Sequence, residues 1–140
     1  MNRRVFGTWL AVAAVNAALA VAAGAFGAHG LQSAGEQAAG WMRTGSQYHM
    51  WHALALIAGT LVARDMPRGT FTVAANIAAV AWMAGIVLFC GALYGLALGA
   101  PRWLAMVAPL GGTAFLVGWM AAAAGGWSLR RDHETNGGPR

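Results

Sequence analysis

From Gly69 to Pro101 the chain reads GTFTVAANIAAVAWMAGIVLFCGALYGLALGAP, 33 residues between Arg68 and Arg102 without a charged side chain. A bilayer's hydrocarbon core is about 30 Å thick, and a helix rising about 1.5 Å per residue crosses it in roughly 20 residues. Three further windows have the same character: 31 residues between Arg4 and Glu36, 20 between Arg43 and Arg64, and 27 between Arg102 and Arg130. A soluble domain carries charge at about a quarter of its positions, against 9 % of the 140 residues here. That distribution excludes a water-soluble globule, a disordered chain and a nucleic-acid reader.

In lipid the backbone must satisfy its own hydrogen bonds, so a spanning segment is a helix or part of a closed barrel. Barrel strands alternate polar and apolar residues, whereas these windows are apolar all round. The expected fold is therefore all-α: an integral membrane bundle of four transmembrane helices, running up and down, over residues 5–28, 46–63, 71–98 and 103–124. Arg3 and Arg4 before an apolar run resemble a signal peptide, but the run to Ala28 exceeds the roughly 7–15 residues of a signal's apolar region. A retained helix is expected.

Basic residues concentrate on the cytoplasmic side of a membrane. In this topology Arg3, Arg4, Arg64, Arg68, Arg130, Arg131 and Arg140 share one side, and Arg43 and Arg102 the other. Both termini are expected in the cytoplasm, and the protein in the cell's inner membrane. The high pI of about 11.2 then reflects arginines beside anionic headgroups. The partner is the lipid bilayer, with no nucleic acid.

The first connection, Gly27 to Gly45, holds Ser33-Ala34-Gly35-Glu36, a capping-box pattern. It predicts a short helix through Met42, lying on the membrane surface or running into the second span. Pro67 and Gly69 mark a tight turn in the second connection. Residues 1–128 make the membrane domain, and residues 129–140 read as a disordered cytoplasmic tail.

Small residues let membrane helices approach closely. Gly91, Gly95 and Gly99 are expected to form a packing seam on the third span, with Ala14, Ala18 and Ala22 on the first. Such seams serve packing within the bundle; a homo-oligomer or a larger membrane complex is the alternative use. Asn16, near the middle of the first window, is expected to hydrogen-bond between helices. Trp9, Trp103, Trp119 and Trp127 suit the interface, and Trp51 and Trp82 suit packing.

No Asp, Glu or Arg lies inside a window, so the candidates for chemistry are histidines with polar company. His49 and His52, three apart, share a helix face. His29 closes the first span on the side where the second begins, so the three could converge on the outer side. Tyr48, Tyr94 and Cys90 lie within reach of that side. His29, Tyr48, His49, His52 and Tyr94 are the candidate ligand-binding residues, for a quinone or lipid. His29, His49 and His52 are the weaker candidates for a metal. Haem would need axial ligands from opposite sides, and His49 and His52 cannot both serve. The bland reading is histidines that hydrogen-bond between helices. No cofactor follows from the residues. Nucleotide loops, GxSxG elbows, CxxC pairs and HExxH are absent from the sequence. No catalytic residue is assigned, and a non-enzymatic accessory or assembly component is the leading expectation. A small transporter would need a polar path that Asn16 and Asn76 are too sparse to make.

Four motifs occur in order: Gly24 to Leu31 (GAFGAHGL), Gln47 to Leu56 (QYHMWHALAL), Leu88 to Tyr94 (LFCGALY), and Ala108 to Gly112 (APLGG) followed by Gly118-Trp119. Together they resemble the domain-of-unknown-function 423 family, which includes the animal transmembrane protein 256. The resemblance runs from about Arg4 to Met120. It implies a small multi-pass membrane protein and supplies no catalytic residue. Trp51 stands where a tyrosine is common in the family, and Cys90 where a serine is.

Overall fold

The computed structural model describes residues 3–31, 33–66 and 69–136, the last five of these by backbone alone. The described residues are helical, with α1 at Arg3–His29, α2 at Glu36–Arg64, α3 at Thr70–Gly85, α4 at Gly91–Ala97 and α5 at Ala108–Asn136. A π turn, Ile86–Cys90, joins α3 to α4, and a 3₁₀ turn, Arg102–Met106, precedes α5.

The chain folds as two antiparallel hairpins. In the first, α1 lies along α2: a Cβ on Gly24 would touch Ser46, and one on Gly27 would press on Met42. At the other end of this hairpin the Arg64 guanidinium sits 5.3 Å from the centre of the Phe6 ring. In the second, the α3–π–α4 rod lies along α5. Here Gly111, Gly118 and Gly125, seven residues apart, face Phe89, Trp82 and Ala74 in turn. A seven-residue repeat keeps to one helix face with only a slow drift. At Gly111 the neighbour is the Phe89 backbone itself, so no side chain fits there. Contacts of α2 with α3, the π turn and α4 join the hairpins.

The core contains Ala13, Leu56, Ala78, Trp82, Ile86, Cys90 and Phe115. Large apolar side chains lie outside instead: Val87, Leu116 and Met120 are 64 %, 67 % and 70 % exposed. Apolar patches of that extent belong in lipid, where close helix packing rather than water exclusion selects small residues for the interior. By length and composition α1, Thr70–Ala97 and Arg102–Arg131 can each cross a membrane.

Several expectations are corrected. Of the two expected courses for the helix in the first connection, the structure has the one that runs into the second span, so no separate short helix forms. The turn from Glu36 runs unbroken to Arg64, because extending a helix adds one hydrogen bond per residue fixed and nothing between those residues stops it. Gly35 (φ +89°) stands at the N-cap, with no side-chain cap, so Ser33 does not close a capping box. Pro67 lies outside the described residues. The last helix continues to Asn136, into the segment read as a disordered tail, since residues 127–136 contain neither Gly nor Pro. Residues 137–140 lie outside the described residues.

Within this chain the three glycines of the third span form no continuous packing seam. A Cβ on Gly91 would meet nothing, and one on Gly95 would meet Leu104 of the 3₁₀ turn. Gly99 (φ +85°) ends α4: its N–H reaches Leu96 O and the Ala100 N–H reaches Gly95 O, the Schellman arrangement that favours glycine. Ala14, Ala18 and Ala22 face outward, while Ala13 and Ala20 are the buried alanines of α1.

The π turn has a packing consequence. Ala78, Trp82, Ile86 and Cys90 recur every four residues and are all buried. On an ordinary helix each four-residue step rotates about 40° past a full turn. The wider turn at Ile86–Cys90 takes back part of that drift and keeps the series facing inward.

Candidate functional site

The polar side chains gather at mid-length of the bundle, around the middle of α2. Asn16 of α1 starts the first chain of hydrogen bonds. Its Nδ2 donates to Val12 O at 2.8 Å, an intrahelical bond that fixes the amide and turns Oδ1 toward α2. His49 Nε2 lies 2.9 Å from that Oδ1. An amide oxygen only accepts, so the proton is on Nε2. His49 Nδ1 is then the acceptor, and the Tyr94 hydroxyl donates to it at 3.1 Å. Gly45 admits the Tyr94 ring, because a Cβ there would strike it. Three helices, α1, α2 and α4, are tied through one imidazole.

His52 is the mirror case. Its Nδ1 lies 2.7 Å from the Tyr48 carbonyl oxygen and must donate. Its Nε2 accepts from the Trp119 indole N–H at 3.2 Å. The two histidines therefore hold opposite tautomers, each neutral, with both ring nitrogens engaged. The His52 ring stacks on Phe115 with centroids 3.5 Å apart and planes 12° from parallel. Tyr48 packs against Phe89 at 4.9 Å and Trp51 at 5.1 Å. His49 and His52 are 5 % and 4 % exposed.

The candidate residues thus separate. His49, Tyr94 and Asn16 form one network. His52 forms a second, which reaches Tyr48 through its backbone carbonyl. His29 joins neither: it is exposed at the end of α1, thirteen residues from Asn16, or about 20 Å along the helix axis. Among the described residues no three His, Cys, Asp or Glu side chains come together to hold a metal ion. The convergence of His29, His49 and His52 on the outer side is corrected accordingly. The second helix begins at Glu36 rather than at Ser46, which moves the histidine pair from the mouth of the bundle to its middle. Cys90, fully buried, packs in the core cluster that also holds Phe115 and against which Tyr94 lies.

Sequence reading missed Trp119 and Phe115. Trp119 stands mid-helix as a hydrogen-bond donor rather than at an interface. The available signal was their spacing: four apart, they share a face of α5. Trp82 is buried as expected, while Trp51 is 54 % exposed. The Trp82 Nε1–H is buried without an acceptor, against Gly118.

The model of a family described as "Protein of unknown function (DUF423)" matches residues 23–112. A "UPF0382 membrane protein" of Haemophilus influenzae is 39 % identical over 124 residues, covering 87 % of this chain and 95 % of the relative. YwdK, a UPF0382 membrane protein of Bacillus subtilis, is 40 % identical, covering 80 % of this chain and 89 % of its own. The "UPF0382 inner membrane protein YgdD" of Escherichia coli K12 is 41 % identical, with coverage of 87 % and 91 %. No solved structure matches the chain.

Proposed function

Because the chain belongs to the DUF423 family of membrane proteins, we propose that it is a four-span protein of the inner membrane, with both termini cytoplasmic, and that it serves as a non-enzymatic component, accessory to a larger membrane assembly. The second helix is the span that composition alone does not select. Its stretch from Arg43 to His52 carries Arg43, Ser46, Gln47, His49 and His52, which lower its hydropathy. Yet it has 29 residues, enough to cross, and it lies antiparallel to α1. Its histidines face α1, α4 and α5 rather than lipid, which is how polar groups are carried through a membrane.

One observation carries the non-enzymatic reading: each nitrogen of the two buried imidazoles is already bonded to a partner in this chain. A general base or a metal ligand needs a nitrogen directed at substrate or metal. Here the nitrogens are directed at Asn16, Tyr94, Tyr48 and Trp119, so the imidazoles serve as joints between helices. A transporter reading has less support, since Asn76 is exposed on the outer surface of α3 and continues no path from Asn16.

Two measurements test this. Reporter fusions after Arg64 and at both termini should report cytoplasm, and a fusion near Ala34 should report periplasm. A periplasmic C-terminus would refute the four-span count. Gently purified protein should show no visible absorbance band and no stoichiometric metal, both before and after replacement of His49 and His52 by Ala. A chromophore or metal lost with those histidines would refute the structural role.

A further inference from the structure

Helices α2 and α5 flank α3 without packing closely on each other. At mid-length the space between them is filled by rings: Phe115 on His52, Trp119 edge-on to His52 at 6.1 Å, and Tyr48 beside Phe115 at 6.2 Å. Those rings act as spacers. Toward the end that bears Arg64 and Arg130 the rings give way to Phe71 of α3, which lies against Gly125. There α2 presents Ala58 and Gly59, and α5 presents Ala122 and Gly125, over a floor that includes Ala75 and Trp82. Wide spacers followed by mostly small side chains, with Val62 and Phe71 at the rim, leave a half-open crevice of about 250 Å³, its lining almost wholly apolar.

The crevice selects its occupant by size and chemistry. A helix is about 10 Å across with its side chains, too wide for the space. Water needs two to four polar partners, and the walls offer almost none. The remaining candidate is a narrow hydrocarbon, and inside a bilayer acyl chains are the surrounding solvent. Position adds the headgroup. Five residues beyond Gly125, about 8 Å along the axis, α5 carries the exposed pair Arg130 and Arg131. Arginines at that depth attract anionic headgroups of the cytoplasmic leaflet.

We propose that the crevice between α2, α3 and α5 is a lipid site. One acyl chain of an anionic phospholipid lies against Ala58, Gly59 and Ala122, with its phosphate at Arg130 and Arg131. This rests on α2 crossing the membrane, which the reporter fusions test separately, and it is independent of the accessory role. The helix spacing set by the His52–Phe115–Trp119 stack keeps the crevice open.

Tryptophan quenching tests it. A variant keeping only Trp82 and Trp119, with the other five tryptophans changed to Phe, is placed in phosphatidylcholine vesicles. Rising fractions of phosphatidylglycerol or phosphatidylcholine brominated at mid-chain are then added. Quenching by the brominated phosphatidylglycerol should saturate at a low mole fraction, with a preference over phosphatidylcholine of roughly fivefold for each of the two arginines that engages the headgroup. Ala122→Leu should fill the crevice and abolish saturation while circular dichroism stays unchanged; Ala58→Leu serves if Ala122→Leu does not fold. Changing Arg130 and Arg131 to Ala should remove the preference and keep saturation. Quenching linear in mole fraction, alike for both lipids and unaltered by Ala122→Leu, would overturn the site. Saturation without headgroup preference would overturn the anionic assignment.

Discussion

The bond between Asn16 and His49 offers the most direct measurement of what holds this bundle together. It joins α1 to α2 at 2.9 Å, and its acceptor amide is held in place by the bond from Nδ2 to Val12 O. Interhelical hydrogen bonds in membranes average about 0.6 kcal/mol and reach about 1.7 kcal/mol, because the separated helices also find partners. Asn16→Ala should therefore cost roughly 1 kcal/mol. His49→Ala breaks two bonds and leaves both Asn16 Oδ1 and the Tyr94 hydroxyl unpaired, so it should cost more, about 2–3 kcal/mol. Because each single variant already breaks the bond, the double variant should cost less than the sum, by about 0.6–1.7 kcal/mol. The control is Asn16→Ala with His52→Ala. Those residues share no partner, and their effects should add within about 0.5 kcal/mol. Reversible unfolding in mixed detergent micelles, followed by far-ultraviolet circular dichroism, reads the wild type and all five variants. Zero coupling between Asn16 and His49, or equal coupling between Asn16 and His52, would refute the division into two networks.

Two neighbouring glycines should respond oppositely to the same substitution. Gly111→Ala drives a methyl into the Phe89 backbone and should destabilise by about 1–3 kcal/mol through overpacking. Gly112→Ala meets open space and should stabilise by up to about 1 kcal/mol, the helix-propensity difference; detergent unfolding midpoints check both. The lone thiol, Cys90, is fully buried and should resist a membrane-permeant maleimide in the folded protein, then react once the bundle is unfolded. Labelling at the same rate in both states would show that the core around Cys90 is open.

The charge gaps made the class of fold legible because a bilayer imposes a single demand, length without charge, that any spanning segment must meet. The same demand hides how the helices face one another. A window that is apolar all round has no polar stripe to say which side turns inward, so Ala14 and Ala13 look equivalent in sequence, yet one faces outward and the other is fully buried. The wide turn at Ile86–Cys90 has no residue that announces it. It responds to packing against α5, where Phe89 meets Gly111. That is a long-range contact, and it shifts the register of every residue that follows, including Tyr94.

The two glycine patterns show where the information lay. Gly91-xxx-Gly95-xxx-Gly99 is the familiar local spacing, but its members cap a helix, admit Leu104 and face open space. Gly111, Gly118 and Gly125 recur every seven residues and make the close seam, because α5 crosses its antiparallel partner at a shallow angle and meets it once in every two turns. The seam was therefore readable only with the partner's large residues beside it: Phe89, Trp82 and Phe71 descend the α3–π–α4 rod as the glycines ascend α5. The histidines follow the same logic. Their three-residue spacing put them on one side of α2, but a step of about 100° per residue leaves His49 and His52 some 60° apart around the axis. That is enough for one to face α1 and α4 while the other faces α5. A spacing that suggested convergence on a ligand instead distributes two imidazoles to opposite neighbours, and the second helix becomes the one through which the other helices are joined.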